Sequence, residues 1–268
     1  MVIESIPKVV GMAYAVVASI GLVVLFRTGR FNMKIGYPLL AVSALFGFLV
    51  FAPMLPWQWQ MVLAGGPQQA GVPAPLAGAV MGLFLVLAFL FGRHFCGYVC
   101  PIGAVQELVY RIPVPKLRIT NKWGPVLFRL AFLVALVVLA VTLSVPLLRY
   151  LGVGDFFQLN VTSAFFYAFL ALVVVGLFLY RPFCRFLCPY GAMLSLASLA
   201  GLFKLRRNEN CIECGDCEEA CPTGEATRRA RKQECYMCNR CREVCPVDAI
   251  VLARRQSEGS SKAGAGVT

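Results

Sequence analysis

Twelve cysteines carry most of the chemistry in this sequence. Cys96 and Cys100 sit in "RHFCGYVCPIGA", residues 93–104, and Cys184 and Cys188 in "RPFCRFLCPYGA", residues 181–192. The other eight form "CIECGDCEEACP", Cys211 to Pro222, and "CYMCNRCREVCP", Cys235 to Pro246. Thiolates bind soft metals and metal–sulfur clusters and exchange with disulfides, whereas protonated buried thiols pack as small apolar groups. Spacing and compartment decide between these uses.

Both C-terminal motifs follow C-x2-C-x2-C-x3-C-P, the spacing with which a bacterial ferredoxin holds two [4Fe–4S] clusters. Three thiolates on a tight loop reach one cubane, and the fourth, further along the chain, reaches the other. Cys211, Cys214, Cys217 and Cys245 are therefore expected around one cluster, and Cys235, Cys238, Cys241 and Cys221 around the second. Paired C-x2-C also suits zinc, but two full copies, each closed by proline, favour iron–sulfur. So small a module buries little core, and its clusters are expected to hold it together. Glu213, Asp216, Glu218 and Glu219 surround the first motif, whereas Arg228, Arg229, Arg231, Lys232, Arg240 and Arg242 surround the second. That contrast reads either as a dipole that orients a partner or as ordinary solvated surface.

The elements that must position these thiols are apolar. The chain is 59% hydrophobic and 14% charged, against about 25% charged residues in a soluble domain. Five nearly uncharged runs, 9–26, 35–56, 75–92, 126–148 and 161–180, have the length of transmembrane helices. The expected architecture is an all-α polytopic bundle over residues 1–204. A two-cluster ferredoxin-like module comes next, over 205–253, and a Ser/Gly-rich tail over 254–268 is expected to be disordered.

The net charge of +12 does not point to nucleic acid, because residues 1–204 hold 14 Lys/Arg and 3 Asp/Glu, mostly in loops between spans. Arg27, Arg30 and Lys34 follow the first span, Arg93 to Lys122 the third, and Arg181, Arg185 and Lys204 the fifth. The opposite side has Lys8 and Arg149. The positive-inside rule then places the N-terminus outside and the C-terminus in the cytoplasm of a prokaryotic cell. With Glu4 and Lys8, the leading segment lacks the basic start of a signal peptide and reads as a retained span. All twelve cysteines fall on the cytoplasmic side, where thiols stay reduced and metal binding is favoured over disulfides.

The two C-x3-C-P segments match at the Arg, Phe, both Cys, Pro, Gly and Ala, and each follows an odd-numbered span to the cytoplasmic membrane edge. If helix continues through each pair, Cys96 and Cys100 lie one turn apart on one face, as do Cys184 and Cys188. Pro101 and Pro189 would break the helix just beyond. Three readings stay open: a third iron–sulfur or other four-thiolate metal centre, a redox-active dithiol that passes electrons to a metal ion, and buried cysteines packing as small hydrophobes. Recurrence at one spacing with shared flanks favours the first.

Other residues narrow the function classes. His94 is the only histidine, which excludes a bis-histidine haem between spans. It reads as a helix-end cap or a quinone contact. Spans two, three and five lack acids and bases, and span four has only Arg129, which can snorkel to the cytoplasmic face. A proton pump or ion-coupled transporter is therefore disfavoured. Glu107 reads as a solvated interfacial acid, with acceptance of a quinol proton as the sharper alternative. Trp57 and Trp59 read as aromatic-belt anchors, and residues 191–203 as an interfacial helix.

Together, two C-x3-C-P-x-G-A motifs after membrane spans and a two-cluster ferredoxin module resemble the NapH/NosR-type membrane 4Fe–4S proteins. That group includes quinol-dehydrogenase subunits, the NosR core, and the MauN and RdxA/CcoG relatives. The resemblance covers residues from about 75 to 250 and is closest to the minimal NapH-like form. It implies electron transfer between a membrane quinone pool and another redox protein or subunit, in either direction. The alternative is a membrane cupric reductase or assembly factor that uses Cys96, Cys100, Cys184 and Cys188 to deliver electrons to copper.

Overall fold

Apolar runs without polar backbone partners nearby satisfy their own hydrogen bonds as helices, and this chain does so along most of its length. The computed structural model describes residues 2–52, 54–63, 74–119, 123–228 and 230–254. The expected tail therefore lies outside the described residues, apart from Arg254. Five apolar helices occupy the five predicted runs: α1 (Val2–Arg27), α2 (Met33–Val50), α4 (Ala74–Phe91), α6 (Trp123–Leu143) and α9 (Ala164–Phe178). Between them lie α3 (Leu55–Leu63), α5 (Pro101–Tyr110), α7 (Leu147–Tyr150), α8 (Val153–Phe157) and α10 (Pro189–Leu199).

Among the described residues, Pro7–Arg27, Met33–Met61 and Trp123–Leu143 are long and apolar enough to cross a membrane. The second of these bends at Phe51, which caps α2 in the left-handed region (φ 53°). The apolar stretches Pro75–Phe91 and Ala164–Phe178 are shorter. The chain turns soon after each, at Gly92 (φ 79°) and Arg181 (φ 49°).

Beyond α4 and α9 the chain enters the two cysteine segments. It does not leave the bundle; it turns back into it. After α4 comes a π-turn, Phe95–Val99, closed by the Cys100 N–H on the Phe95 carbonyl, and α5 begins at Pro101. Ser43 Oγ donates to the Tyr98 carbonyl (2.7 Å), and Pro101 packs on Gly47, both in the second half of α2. At the far end of α5, Arg111 donates to Tyr37 (3.0 Å), near the start of α2. Thus α5 runs antiparallel to α2 over about 15 Å, at 1.5 Å per residue, and the first cysteine pair lies inside the bundle.

The second repeat does the same. Its π-turn, Phe183–Leu187, is closed by Cys188 N–H on Phe183, and α10 begins at Pro189. The Tyr190 hydroxyl donates to the carbonyl of Met81 (2.7 Å), in the middle of α4. The stretch 191–203, expected as an interfacial helix, instead falls mostly in α10, which buries Leu194, Ser195 and Ser198 against α4 and α6. The physical reason is shared: proline lacks an N–H, is tolerated at the first helical turn, and restarts a helix in a new direction.

Trp57 and Trp59 are not simple belt anchors. They belong to α3, which packs against α4, α6 and α10, and the Trp57 ring meets Phe51 edge-on at 5.7 Å. The C-terminal module starts with β1 (Phe203–Arg207), paired antiparallel with β2 (Ile250–Arg254). Two one-turn helices, α11 (Asp216–Glu219) and α12 (Arg240–Glu243), lie within its two cysteine motifs.

Close approach of α2 to α5 requires a glycine. A Cβ at Gly47 would lie 2.6 Å from Pro101 Cβ and 2.8 Å from Phe157 Cε1, whereas one at Gly21 meets nothing within 4 Å. Gly47→Ala is expected to cost about 1–3 kcal/mol through overpacking and to lower the thermal midpoint in detergent. Gly21→Ala should leave that midpoint unchanged or raise it, since alanine favours helix.

Candidate functional site

The two π-turns bring Cys96, Cys100, Cys184 and Cys188 to one buried cavity of about 310 Å³, also lined by Pro56, Arg93, Tyr190 and Gly191. The π geometry changes the pairing expected from an ordinary helix. The first cysteine of each pair sits in the wide turn, and the second sits in extended backbone at the start of the next helix. Single π-turns of this kind recur at functional sites because they re-aim a side chain out of helical register.

The module's cysteines fall into two further groups. Cys211, Cys214, Cys217 and Cys245 line a second cavity of about 310 Å³, closed on one side by Ile250 of β2. Cys221, Cys235, Cys238 and Cys241 line a wider cleft of about 1000 Å³ that Tyr180, Tyr236 and Arg240 also border. Burial pushes the Cys235 thiol up to about 12. Backbone hydrogen bonding at Glu213 draws half-buried Cys211 down instead. Among the described residues, no three His, Cys, Asp or Glu side chains are placed to hold a single metal ion. Each quartet offers four thiols around one space, a donor set that suits an iron–sulfur cubane.

Charge around the in-bundle quartet is heavily positive. Arg93, Arg129, Arg181 and Arg185 are all buried. Arg181 spans the two repeats: Nη2 donates to the Gly97 carbonyl (2.7 Å), Nη1 to the Cys96 carbonyl, and Nε to Glu107 Oε2 (3.0 Å). Arg129, expected to snorkel to the surface, instead points inward and donates to the Cys184 carbonyl (3.2 Å) and to Glu234 (2.6 Å). Arg93 donates to Glu234 through Nη1 (3.0 Å). Its Nη2 and Nε have no hydrogen-bond partner among the described residues, and Nη2 faces Gly191 on the cavity wall. A buried guanidinium with idle donors beside four cysteines fits an anionic occupant. Four thiolates around an iron–sulfur core carry a net negative charge, so the residues present suit that group.

Among the described residues, two carboxylates pair with Arg93, Arg129 and Arg181. Glu107 is buried, not solvated: Arg181 (2.9 Å), Arg240 (2.6 Å), Arg111 (3.4 Å) and the Tyr180 hydroxyl (2.9 Å) surround it. Burial alone would raise its pKa, but Arg240, Arg181 and Arg111 prevail and hold it near 2. Glu234 is likewise held near 2, against burial, by Arg93 and Arg129. It also accepts from Ser195 Oγ (2.6 Å). Arg240 and Glu234 both belong to the module, so part of the basic surface expected around its second motif is an internal docking face. Arg242 adds a contact to the Gly29 carbonyl (3.2 Å).

His94 is buried, with Nδ1 3.0 Å from the Gly92 carbonyl; burial lowers its pKa to about 4, and the ring is neutral. The residues missed from sequence are Glu234 and Tyr236. Glu234 is the only acid between Glu225 and Glu243, inside the basic run "RRARKQEC". Tyr236 lies between Arg93 and Arg181, 4.2 and 5.0 Å from their guanidinium carbons. The matched arginines at 93 and 181 were the available signal for both.

Comparison with known proteins bears on this site. Residues 73–120 and 163–208 each match a family described as a 4Fe-4S binding domain, so the matches cover the two C-x3-C-P repeats. YccM of Escherichia coli K12, named for electron transport, is 29% identical over 178 residues, 57% of this chain and 48% of that protein. MJ0750 of Methanocaldococcus jannaschii is 32% identical over 54% of this chain and 64% of its own length. The regulatory protein NosR of Pseudomonas aeruginosa is 34% identical over 49% of this chain and 20% of its own. The chain thus spans between a fifth and two thirds of these relatives. No solved structure matches.

The ion pairs at Glu107 set a pH limit. Its folded value near 2 lies below the usual glutamate value of about 4.3. A depressed carboxylate contributes stability that is present above its unfolded pKa and lost as pH falls through its folded one. Unfolding in detergent should therefore become easier between about pH 4 and pH 2. Glu107→Gln should flatten that dependence and cost about 3–5 kcal/mol at neutral pH, because three arginines lose their shared partner.

Proposed function

Because the chain belongs with the membrane ferredoxin-type 4Fe–4S proteins, we propose that it is a quinone-linked electron-transfer subunit with three iron–sulfur centres. Two are held in the module, by Cys211, Cys214, Cys217 and Cys245 and by Cys221, Cys235, Cys238 and Cys241. The third is held inside the bundle by Cys96, Cys100, Cys184 and Cys188. Iron–sulfur clusters supply one-electron chemistry tuned by burial and hydrogen bonds. The protein's own contribution is to keep the in-bundle site dry and ringed by cations. In this reading the module faces the cytoplasm and exchanges electrons with a second redox protein, while quinol or quinone reacts from the bilayer.

The observation that carries the reading is the in-bundle quartet: four buried cysteines from two repeats around one cavity, beside an arginine with idle donors. Cys211, Cys214, Cys217 and Cys245 likewise line one cavity, and four thiols around one space support a cluster in both.

Anaerobic purification tests this. About twelve irons and as many acid-labile sulfides per chain are expected, falling to about eight in Cys96→Ser or Cys184→Ser with the module's EPR signals retained. A wild-type count of about eight, with copper(II) reduction that Cys184→Ser abolishes, would select the metal-reductase alternative. EPR signals indifferent to quinols of both high and low potential would remove the quinone link.

A further inference from the structure

The two C-x3-C-P repeats superimpose in sequence at a fixed offset that pairs Arg93 with Arg181, Cys96 with Cys184, Gly103 with Gly191, and Glu107 with Ser195. The arginines cross over in space. Arg181 of the second repeat lies against Gly103 of the first, and Arg93 of the first lies against Gly191 of the second. Each arginine therefore reaches the helix that comes after the other repeat's cysteines. On the first repeat's helix, Arg181 finds a carboxylate, Glu107, at 2.9 Å. On the second repeat's helix the matching position is Ser195, which has no charge to offer Arg93. The gap is filled from outside the repeat. Glu234, from the module, accepts from Ser195 Oγ at 2.6 Å and from Arg93 Nη1 at 3.0 Å.

We propose that Glu234 is a positioning residue of the in-bundle four-cysteine site: the module donates the carboxylate that the second repeat lacks, so the site is complete only when the module is docked. The inference rests on the proposed set of three iron–sulfur centres. Glu234 anchors Arg93 by one nitrogen and leaves the others toward the cavity. It also fixes Arg129, whose Nη1 holds the Cys184 carbonyl. Tyr236, two residues on, fills the space between Arg93 and Arg181, and its carbonyl oxygen abuts Gly97, where a Cβ would collide with it. The segment Glu234–Tyr236 includes Cys235, so one short stretch of chain touches the in-bundle site and ligates a module cluster. That stretch ties the charge and geometry of the first to the placement of the second.

The test uses the full chain, purified anaerobically in detergent, with iron counted and the in-bundle centre followed by EPR during redox titration. Its signal is the one lost in Cys96→Ser. In Glu234→Gln a negative charge is gone from beside two buried arginines. The in-bundle midpoint should therefore rise, or its irons should be lost while the module's remain. Returning the carboxylate from the repeat's own side, in the double variant Ser195→Glu, Glu234→Ala, should restore iron content and bring the midpoint back toward wild type. A purely structural role for Glu234 would recover stability without recovering the midpoint. If Glu234→Gln does not fold, recovery of fold, irons and midpoint together in the double variant supports the inference, and its failure overturns it. An in-bundle centre with unchanged irons and midpoint in Glu234→Gln also overturns it. A wild-type protein with only about eight irons would defeat the three-centre reading itself; about twelve irons with a midpoint indifferent to position 234 would defeat this inference alone.

Discussion

Arg93, Arg129 and Arg181, buried among apolar helices and answered by two carboxylates, are the constraint on which the rest of this structure depends. A buried charge without a partner costs several kcal/mol, so each guanidinium here must find a carbonyl, a carboxylate or an anionic ligand. Arg181 finds the Cys96 and Gly97 carbonyls and Glu107. Arg129 finds Cys184 and Glu234. These contacts fix the backbone of the cysteine turns more firmly than apolar packing would, because hydrogen bonds from a charged donor are short and directional. The same demand ties the module to the bundle. It inserts Arg240 toward Glu107 and Glu234 toward Arg93, one charge of each sign. A module shifted by a few ångströms would leave Arg93 and Arg129 without their carboxylate and Glu107 with one arginine fewer.

The cysteine turns show how a helix can carry thiols into a bundle without leaving backbone groups unsatisfied. A π-turn closes its own hydrogen bond, from Cys100 to Phe95 and from Cys188 to Phe183. The next residue, proline, has no N–H to satisfy, and it starts the next helix at the first turn, where a missing donor costs nothing. Thus Pro101 and Pro189 do more than end a helix. They let the chain reverse inside apolar surroundings, where an open loop would be costly. The glycines at 103 and 191 make the reversal tight, each giving room to the other repeat's arginine.

Legibility from sequence divided along physical lines. Run length and hydropathy announced α1, α2, α4, α6 and α9, because a continuous apolar run of that length has few alternatives. The cysteine motifs announced three thiol groups, because their spacing is short and local. The depth of Cys96 and Cys184 was not legible, since a π-turn and a re-entrant helix leave no hydrophobic period distinct from an interfacial segment. Nor was the burial of Glu107 and Arg129. A single charge at the end of an apolar run reads as solvated or snorkelling by default, and only the arrival of Arg181, Arg240 and Glu234 from distant parts of the chain reverses that. Both α4 and α9 lie on predicted runs, and the chain turns soon after each, at Gly92 and Arg181.

The duplication explains why the bundle and the module need one another. Two copies of one unit would place an arginine from each against the other, with a carboxylate on each returning helix. Here the first copy has Glu107 and the second has Ser195. The bundle by itself therefore holds surplus positive charge at its centre. The four cysteines offset part of that surplus if they are ionised on a metal, and Glu234 offsets more. Thiolate binding, module docking and arginine burial are thus not three separate stabilising features. Each supplies negative charge to the same small volume or depends on it, so removing any one raises the cost of keeping the others in place.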